Sequence, residues 1–254
     1  MPAIILAAKA CHGHQLNSFE NQLRCQFEGL DAKIGMDRIS PGNWVQVNVS
    51  GQDQSVVVNY LRDEVGFSFT DVSQIKRYAT MKGYVSNLLK SQISLSIDIG
   101  QSESGGITAH VPLGVLQAQL ADGRKLALNK IVELYGFHDD LPLNVMVSEV
   151  DTVRAHVEAD LSDRQLAVYT DWVDSLLDRL LVLGASVSEV GSAVKACGLT
   201  RDVVDIVSLG PFEHAMVCKL GTDAKGLIPR IGRRLGKAGL SVFSPRKIRA
   251  FLGE

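Results

Sequence analysis

The sequence predicts an α+β protein of three modules: a small N-terminal α+β unit over residues 1–78, a central β-barrel over 79–152, and a C-terminal helical and α+β domain over 153–254 that carries a basic helix. Three observations lead there. The apolar period changes twice along the chain, from mixed helix and strand to a run of alternating strands, and back to mixed. At 254 residues, with 46% hydrophobic and 21% charged side chains, the chain can bury several small cores and has the composition of a soluble globular protein. No internal repeat or low-complexity segment interrupts that order.

The first module opens on a strand, "AIILAAKA". A helix follows from about Asn17, where Asn17 and Glu20 have capping-box spacing. Leu16, Phe19, Leu23, Phe27 and Leu30 recur every three or four residues, and Gly29 offers a stop. "WVQVNVSGQDQSVVVNYL" then reads as two strands about a Gly51-Gln52 turn. The expected order is β-α-β-β.

The second module begins with "MKGYVSNLL" and continues with "QISLSIDIG", where Ile93, Leu95, Ile97 and Ile99 alternate with polar residues. That is the period of a strand with one wet face. Gly100 and Gly105-Gly106 break the chain before a third alternating strand, "ITAHV". "PLGVLQAQLAD" reads as a short helix between Pro112 and Gly123, and "LPLNVMVSEV" as a closing strand. Several short strands around one short helix suit a small barrel.

The third module starts on a well-signalled helix. Ser162 and Gln165 form a capping box, and Leu161 and Leu166 a staple. Leu166, Tyr169, Val173, Leu177 and Leu180 give the buried stripe, ended by Gly184. A shorter helix spans about Ser188–Cys197. "VVDIVSLGPFEHAMVCKL" reads as a hairpin turning at Gly210-Pro211, with Glu213-His214 as a surface pair. The basic helix, a strand "LSVF" and a last helix capped by Ser244-Pro245 complete the order α-α-β-β-α-β-α.

Charge is spread unevenly. The formal net charge is -2, yet residues 225–254 hold eight lysines and arginines and one acid, Glu254. With Pro229 placed in the first turn, Arg230, Arg233, Arg234 and Lys237 fall at i, i+3, i+4 and i+7 on one helix face. Ile228, Ile231, Leu235 and Ala238 fall opposite. Lys225 precedes the row, and Arg246, Lys247 and Arg249 follow one strand later as an extension of it. A cationic row without interleaved acids suits a phosphate backbone, because each phosphate contact releases counterions. These eight residues are the candidate nucleic-acid-binding set.

Catalytic and metal motifs are missing. "GTDAKGLI" has glycines ahead of a helix but Leu227 and Ile228 where a Walker loop needs Lys and Ser/Thr, leaving at most a backbone-phosphate site at Gly221–Gly226. Cys11, His12 and His14 lack a fourth ligand at a recognisable spacing, and "FHDDLP" reads as a polar turn. No GxSxG is present. "SVSEVGSAVKACGLTRDVVDIV" could mimic helix-turn-helix, but Asp202 and Asp205 would repel phosphates, so the second half reads as a strand. The four cysteines, Cys11, Cys25, Cys197 and Cys218, form no framework and read as small buried hydrophobes kept reduced. No apolar run reaches the roughly 20 residues a membrane span requires. The expectation is a cytoplasmic, non-enzymatic protein with no metal, no cofactor and no membrane partner.

Two resemblances add to this reading. "GYVSNLLKSQISLSIDIG" and "GGITAHVPLGVL" resemble the S1-type OB barrel of RNA-binding proteins. Such barrels stack bases on aromatic side chains. This copy departs from the pattern with Leu89, Ile93 and Leu95 at the usual aromatic positions, and Tyr84 is its one nearby aromatic. The runs "VPLGVLQAQLADGRKLALNKIVELYGFHDDLPLNV" and "LGPFEHAMVCKLGTDAKGLIPRIGRRL" resemble an archaeal protein family of unknown function. The order of modules is loosely similar, in architecture alone, to the alpha subunit of archaeal translation initiation factor two. Together these imply RNA or a ribonucleoprotein as partner, with the ribosome or the transcription machinery as its setting. The competing expectation is a scaffold that touches protein alone.

Overall fold

A computed structural model describes residues 4–10, 12–39, 42–88, 90–102, 105–154 and 156–253. The N-terminal module contains β1 (Ile4–Lys9), α1 (Gly13–Gln26), β2 (Lys33–Ile39), β3 (Trp44–Ser50) and α2 (Gln54–Glu64). Its antiparallel sheet has the order β1-β3-β2. Three elements differ from expectation, the first being β2, a strand that the sequence reading does not contain. Helix α1 begins at Gly13, with the Gln15 side chain accepting from the His12 amide at 2.9 Å, so the cap lies ahead of Asn17. The second expected strand is helix α2. Its valines suggest β structure, but Val57, Leu61 and Val65 are buried while Asn59 and Asp63, which a strand would turn to the same side, are exposed, as on one face of a helix.

The central module is a closed five-stranded barrel of β4 (Thr80–Ser86), β5 (Ser94–Ser102), β6 (Gly105–Pro112), β7 (Pro142–Asp151) and β8 (His156–Leu161). Around the barrel the order is β4-β5-β6-β8-β7, antiparallel except for the β6–β8 pair. This is a Greek-key barrel of the OB type. The alternation seen in sequence is physical: Leu95, Ile97 and Ile99 fill the interior, while Ser94, Ser96 and Asp98 lie on the wetter side. Two helices, α3 (Leu113–Leu120) and α4 (Leu128–Tyr135), rather than one, separate β6 from β7. Strand β8 carries the barrel past residue 152, to Leu161. Gly100 permits the approach of the preceding module, since a Cβ there would meet the Phe69 carbonyl oxygen at 2.1 Å.

The C-terminal module comprises α5 (Asp163–Asp174), β9 (Arg179–Leu183), α6 (Val187–Ala196), β10 (Val203–Ser208), β11 (Glu213–Cys218), α7 (Ala224–Leu235), β12 (Gly239–Phe243) and α8 (Pro245–Leu252). All neighbours in its sheet, β10-β11-β9-β12, are antiparallel. Ser162 caps α5 by accepting from the Gln165 amide at 3.2 Å, as its spacing predicts. The stripe read through to Leu180 is interrupted, because α5 stops at Asp174 and residues 179–183 form a strand buried on both faces. A continuous apolar run gives no period by which strand and helix can be told apart. The Gly210-Pro211 hairpin and the final α7-β12-α8 order match the sequence reading. Of the cysteines, Cys218 is buried and Cys25 exposed; Cys11 lies outside the described residues.

Charged and polar groups lock the modules together. Lys9 of β1 is 8% exposed and its Nζ lies 2.6 Å from Asp98 Oδ2 of β5. The same ammonium sits over the Trp44 and Tyr84 rings, at 5.1 and 5.6 Å from their centroids. Tyr84 donates to the Ala7 carbonyl at 3.1 Å, and Gln15 donates to the Gly184 carbonyl at 2.7 Å. Among the described residues, no helix is long and apolar enough to cross a membrane.

Candidate nucleic-acid interface

Helix α7 is built to lie flat on its sheet. Ala224, Leu227 and Ile231 are buried against β9 and α6, leaving the opposite side to water. Asp223 caps the helix, its carboxylate accepting from the Lys225 amide at 3.0 Å. That carboxylate serves the first-turn amides and repels anions there, and Gly226 is already helical. The segment Gly221–Gly226 is therefore not a phosphate loop. Pro229 sits in the second turn, not the first, on the exposed side, where its missing N–H leaves the Lys225 carbonyl to solvent.

The eight predicted cations divide into two groups. Arg230, Arg233, Arg234 and Lys237 share one flank. Arg230 donates to the Cys197 carbonyl at 2.6 Å, against the negative C-terminal end of α6. Arg233 and Arg234 are exposed in the last turn, and Lys237 stands just beyond the helix end rather than within it. Arg234 and Lys237 line a hollow of about 580 Å³ between α6, the end of α7 and the start of α1, with His12, His14, Ser188 and Ser192. Burial, and next the charge of Lys237, hold the His12 imidazole below its ordinary pKa. His14 faces Glu189 at 3.5 Å.

Lys225, Arg246, Lys247 and Arg249 do not extend that row. At 100° per residue, Lys225 lies about 130° around α7 from the centre of the other four. Lys225 and Lys247 flank Glu133 of α4, whose carboxylate already holds Lys130 at 2.9 Å; that hydrogen bond and these charges keep its pKa low. Arg246 lines a small hollow with Asp178, Lys219 and Asp223. Arg249 is half-buried. This second flank gathers Glu133, Asp178 and Asp223, whereas the first has Glu189, which faces His14, in its hollow, and no carboxylate comes within ion-pair distance of Arg230, Arg233, Arg234 or Lys237 among the described residues.

Among the described residues, the barrel strands expose no Phe, Tyr or Trp on which a base could stack, in line with the departure seen in the sequence. Tyr84 is fully buried between modules, Leu95 is interior and Ile93 is 79% exposed; Leu89 lies outside the described residues. The outer face instead carries His110 and His156, stacked with centroids 5.2 Å apart, beside Ser96 and Glu158. These positions, 46 residues apart in sequence, meet only through the parallel β6–β8 pairing.

Glu213 and His214, read as a surface pair, are 2% and 1% exposed. Burial pushes the Glu213 carboxyl up to about 8, so it is neutral at pH 7, and its Oε2 has no hydrogen-bond partner. "FHDDLP" is turn chemistry, as predicted: Asp139 accepts from the Leu88 amide at 3.1 Å. Among the described residues, no three His, Cys, Asp or Glu side chains cluster as metal ligands would.

The fold defines a class: an OB-type barrel set between two α+β units, the C-terminal one with a cationic flank on α7. Residues 75–173 match the family model described as the DUF2110 central domain, and residues 177–243 the DUF2110 C-terminal domain. The chain belongs to the DUF2110 family. No curated protein matches it in sequence. A similar solved structure is titled "Crystal structure of a/eIF2alpha-aDim2p-rRNA complex from Pyrococcus horikoshii OT3"; the identity is 10%, with 49% of this chain and 64% of that chain covered. This chain thus spans less than two thirds of that neighbour, and the TM-score of 0.27 is too low to bear on fold or partner.

Proposed function

We propose that this protein is a non-enzymatic RNA-binding protein of the translation or transcription machinery. It docks on phosphate backbone through Arg230, Arg233, Arg234 and Lys237. The observation that carries this reading is the flank at the end of α7, where four cations without an ion-pair partner among the described residues stand together and continue into the His12–His14 hollow, whose Glu189 faces His14. Exposed cations without carboxylate partners keep their full counterion-release energy for an outside polyanion. The OB-type barrel beside them agrees with such a role as an analogy of fold.

The test is fluorescence anisotropy with a labelled single-stranded RNA, comparing the wild type with Arg233→Glu combined with Arg234→Glu. Loss of two attractions and gain of two repulsions should weaken binding about a hundredfold or more. Unchanged affinity, with the fold intact by circular dichroism, removes the reading. A protein partner is the second reading, favoured by one feature: β10 is an edge strand with Val204 and Val207 exposed. Recovery of a partner that survives nuclease treatment, with no affinity for bare RNA, selects it.

A further inference from the structure

A cavity of about 510 Å³ opens where the three modules meet, bounded by β1 and the end of α2, by β4 and β7, and by α5 and the end of β10. Its volume and its place at a junction of structural units are those of small-molecule sites. Lys82 of β4 and Arg164 of α5 both line it; burial holds the Lys82 ammonium below its ordinary pKa, the charge of Glu213 works against that, and the charge of Arg164 adds to it. Neither has a carboxylate within ion-pair distance among the described residues. Glu213, whose carboxyl burial pushes up to about 8, acts on Lys82 from inside the protein, and Asp63 and Glu64 stand exposed at the rim.

Two aromatic side chains of α5 line it as well, Trp172 with the Arg179 guanidinium over its ring at 4.8 Å and Tyr169 stacked on Phe243. Tyr169 and Trp172 of α5 are in edge-to-face contact, centroids 5.9 Å apart. Tyr169 is 4% exposed, and its hydroxyl faces Gln165 without closing a hydrogen bond. Gln165 is itself engaged by the Asn144 amide at 3.0 Å. Two basic side chains without a carboxylate in ion-pair distance, a buried hydroxyl that closes no hydrogen bond and two aromatic rings thus line one space.

We propose that this junction cavity binds a small planar aromatic molecule carrying one anionic group. The ring lies against Tyr169 and Trp172, and the anion meets Lys82 and Arg164. A nucleoside monophosphate and an aryl carboxylate share this chemistry. The site is separate from the α7 flank and does not depend on the RNA reading.

Two tryptophans make the test local, because Trp44 is fully buried outside the cavity and Trp172 lines it. The indole N–H signals of the full chain are followed by NMR during titration with adenosine monophosphate, adenosine, phenylacetate and phenylacetamide. The Trp172 signal should move with at least one anion while Trp44 stays still, and the matched neutral compound should bind at least about tenfold more weakly. Whichever anion binds names the source. Lys82→Met and Arg164→Gln should each weaken it several-fold; Arg164 is exposed, so its variant stays interpretable if the Lys82 one misfolds. Binding should survive the Arg233→Glu, Arg234→Glu change. A Trp172 signal unmoved by either anion, equal binding of the neutral analogue, or full affinity in the Arg164→Gln variant overturns the proposal.

Discussion

Lys9 and Lys237 are the same residue type under opposite conditions. Lys9 is buried at the junction, 2.6 Å from Asp98 and stacked over two aromatic rings. Lys237 is exposed at the end of α7 with no carboxylate within ion-pair distance among the described residues. The first charge is consumed inside the fold, where it fastens the N-terminal module to the barrel. The second remains available to an outside partner. Position relative to carboxylates, not the number of cations, separates an architectural charge from a binding one.

Breaking the junction should have the largest effect. Lys9→Met leaves Asp98 without its partner in a partly buried site and should cost about 3 kcal/mol in urea unfolding. Replacing both, Lys9→Met with Asp98→Leu, should recover much of that loss. If the single variant unfolds like the wild type, the junction is not held by this pair.

Glu213 gives the next effect, at the same junction. Its folded pKa is raised above the ordinary 4.5 to about 8, so between these values the folded chain holds a proton that the unfolded chain has released. Stability therefore falls as pH rises through that window, by up to about 1.4 kcal/mol per pH unit. Below pH 4.5 both states are protonated and the penalty vanishes. Glu213→Gln should flatten the slope between pH 5 and 8 in thermal or urea unfolding. An unchanged slope would mean that the carboxyl is solvated.

The smallest effect contrasts the two cationic groups. Arg246→Glu combined with Lys247→Glu removes as much positive charge as the α7 double reversal, but from a flank that already contains Glu133, Asp178 and Asp223. RNA affinity should fall by no more than about threefold, since these side chains meet a polyanion only at long range through screening salt. Equal losses from both double reversals would merge the two flanks into one surface.

The difference between those flanks also shows what the sequence carries. The apolar stripe of α7 and its cations were legible because helical spacing is local, and so were the alternating barrel strands. The split between Lys225 and the later row was legible in principle, once the helix start at Ala224 is known. The acids near Lys247 and Arg246 were not, because Glu133 reaches Lys247 from more than a hundred residues away and Asp178 shares a hollow with Arg246 from another element. Strand β9 was hidden for a different reason: buried on both faces, "RLLVL" has no polar side to set a period. Helix α2 was misread because its valines favour strands while its burial pattern needs a helix. The junction around Lys9, Asp98 and Glu213 joins three modules and leaves no sequence motif. Lys82, Arg164 and Trp172 of the cavity are hidden in the same way.

The availability of the α7 charges is tested most directly by the salt dependence of RNA binding. For four contacts on a single strand, log affinity against log salt should have a slope near -3, and Arg233→Gln with Arg234→Gln should reduce it to about -1.5. A wild-type slope near zero, or one that the glutamine pair leaves unaltered, would contradict the account.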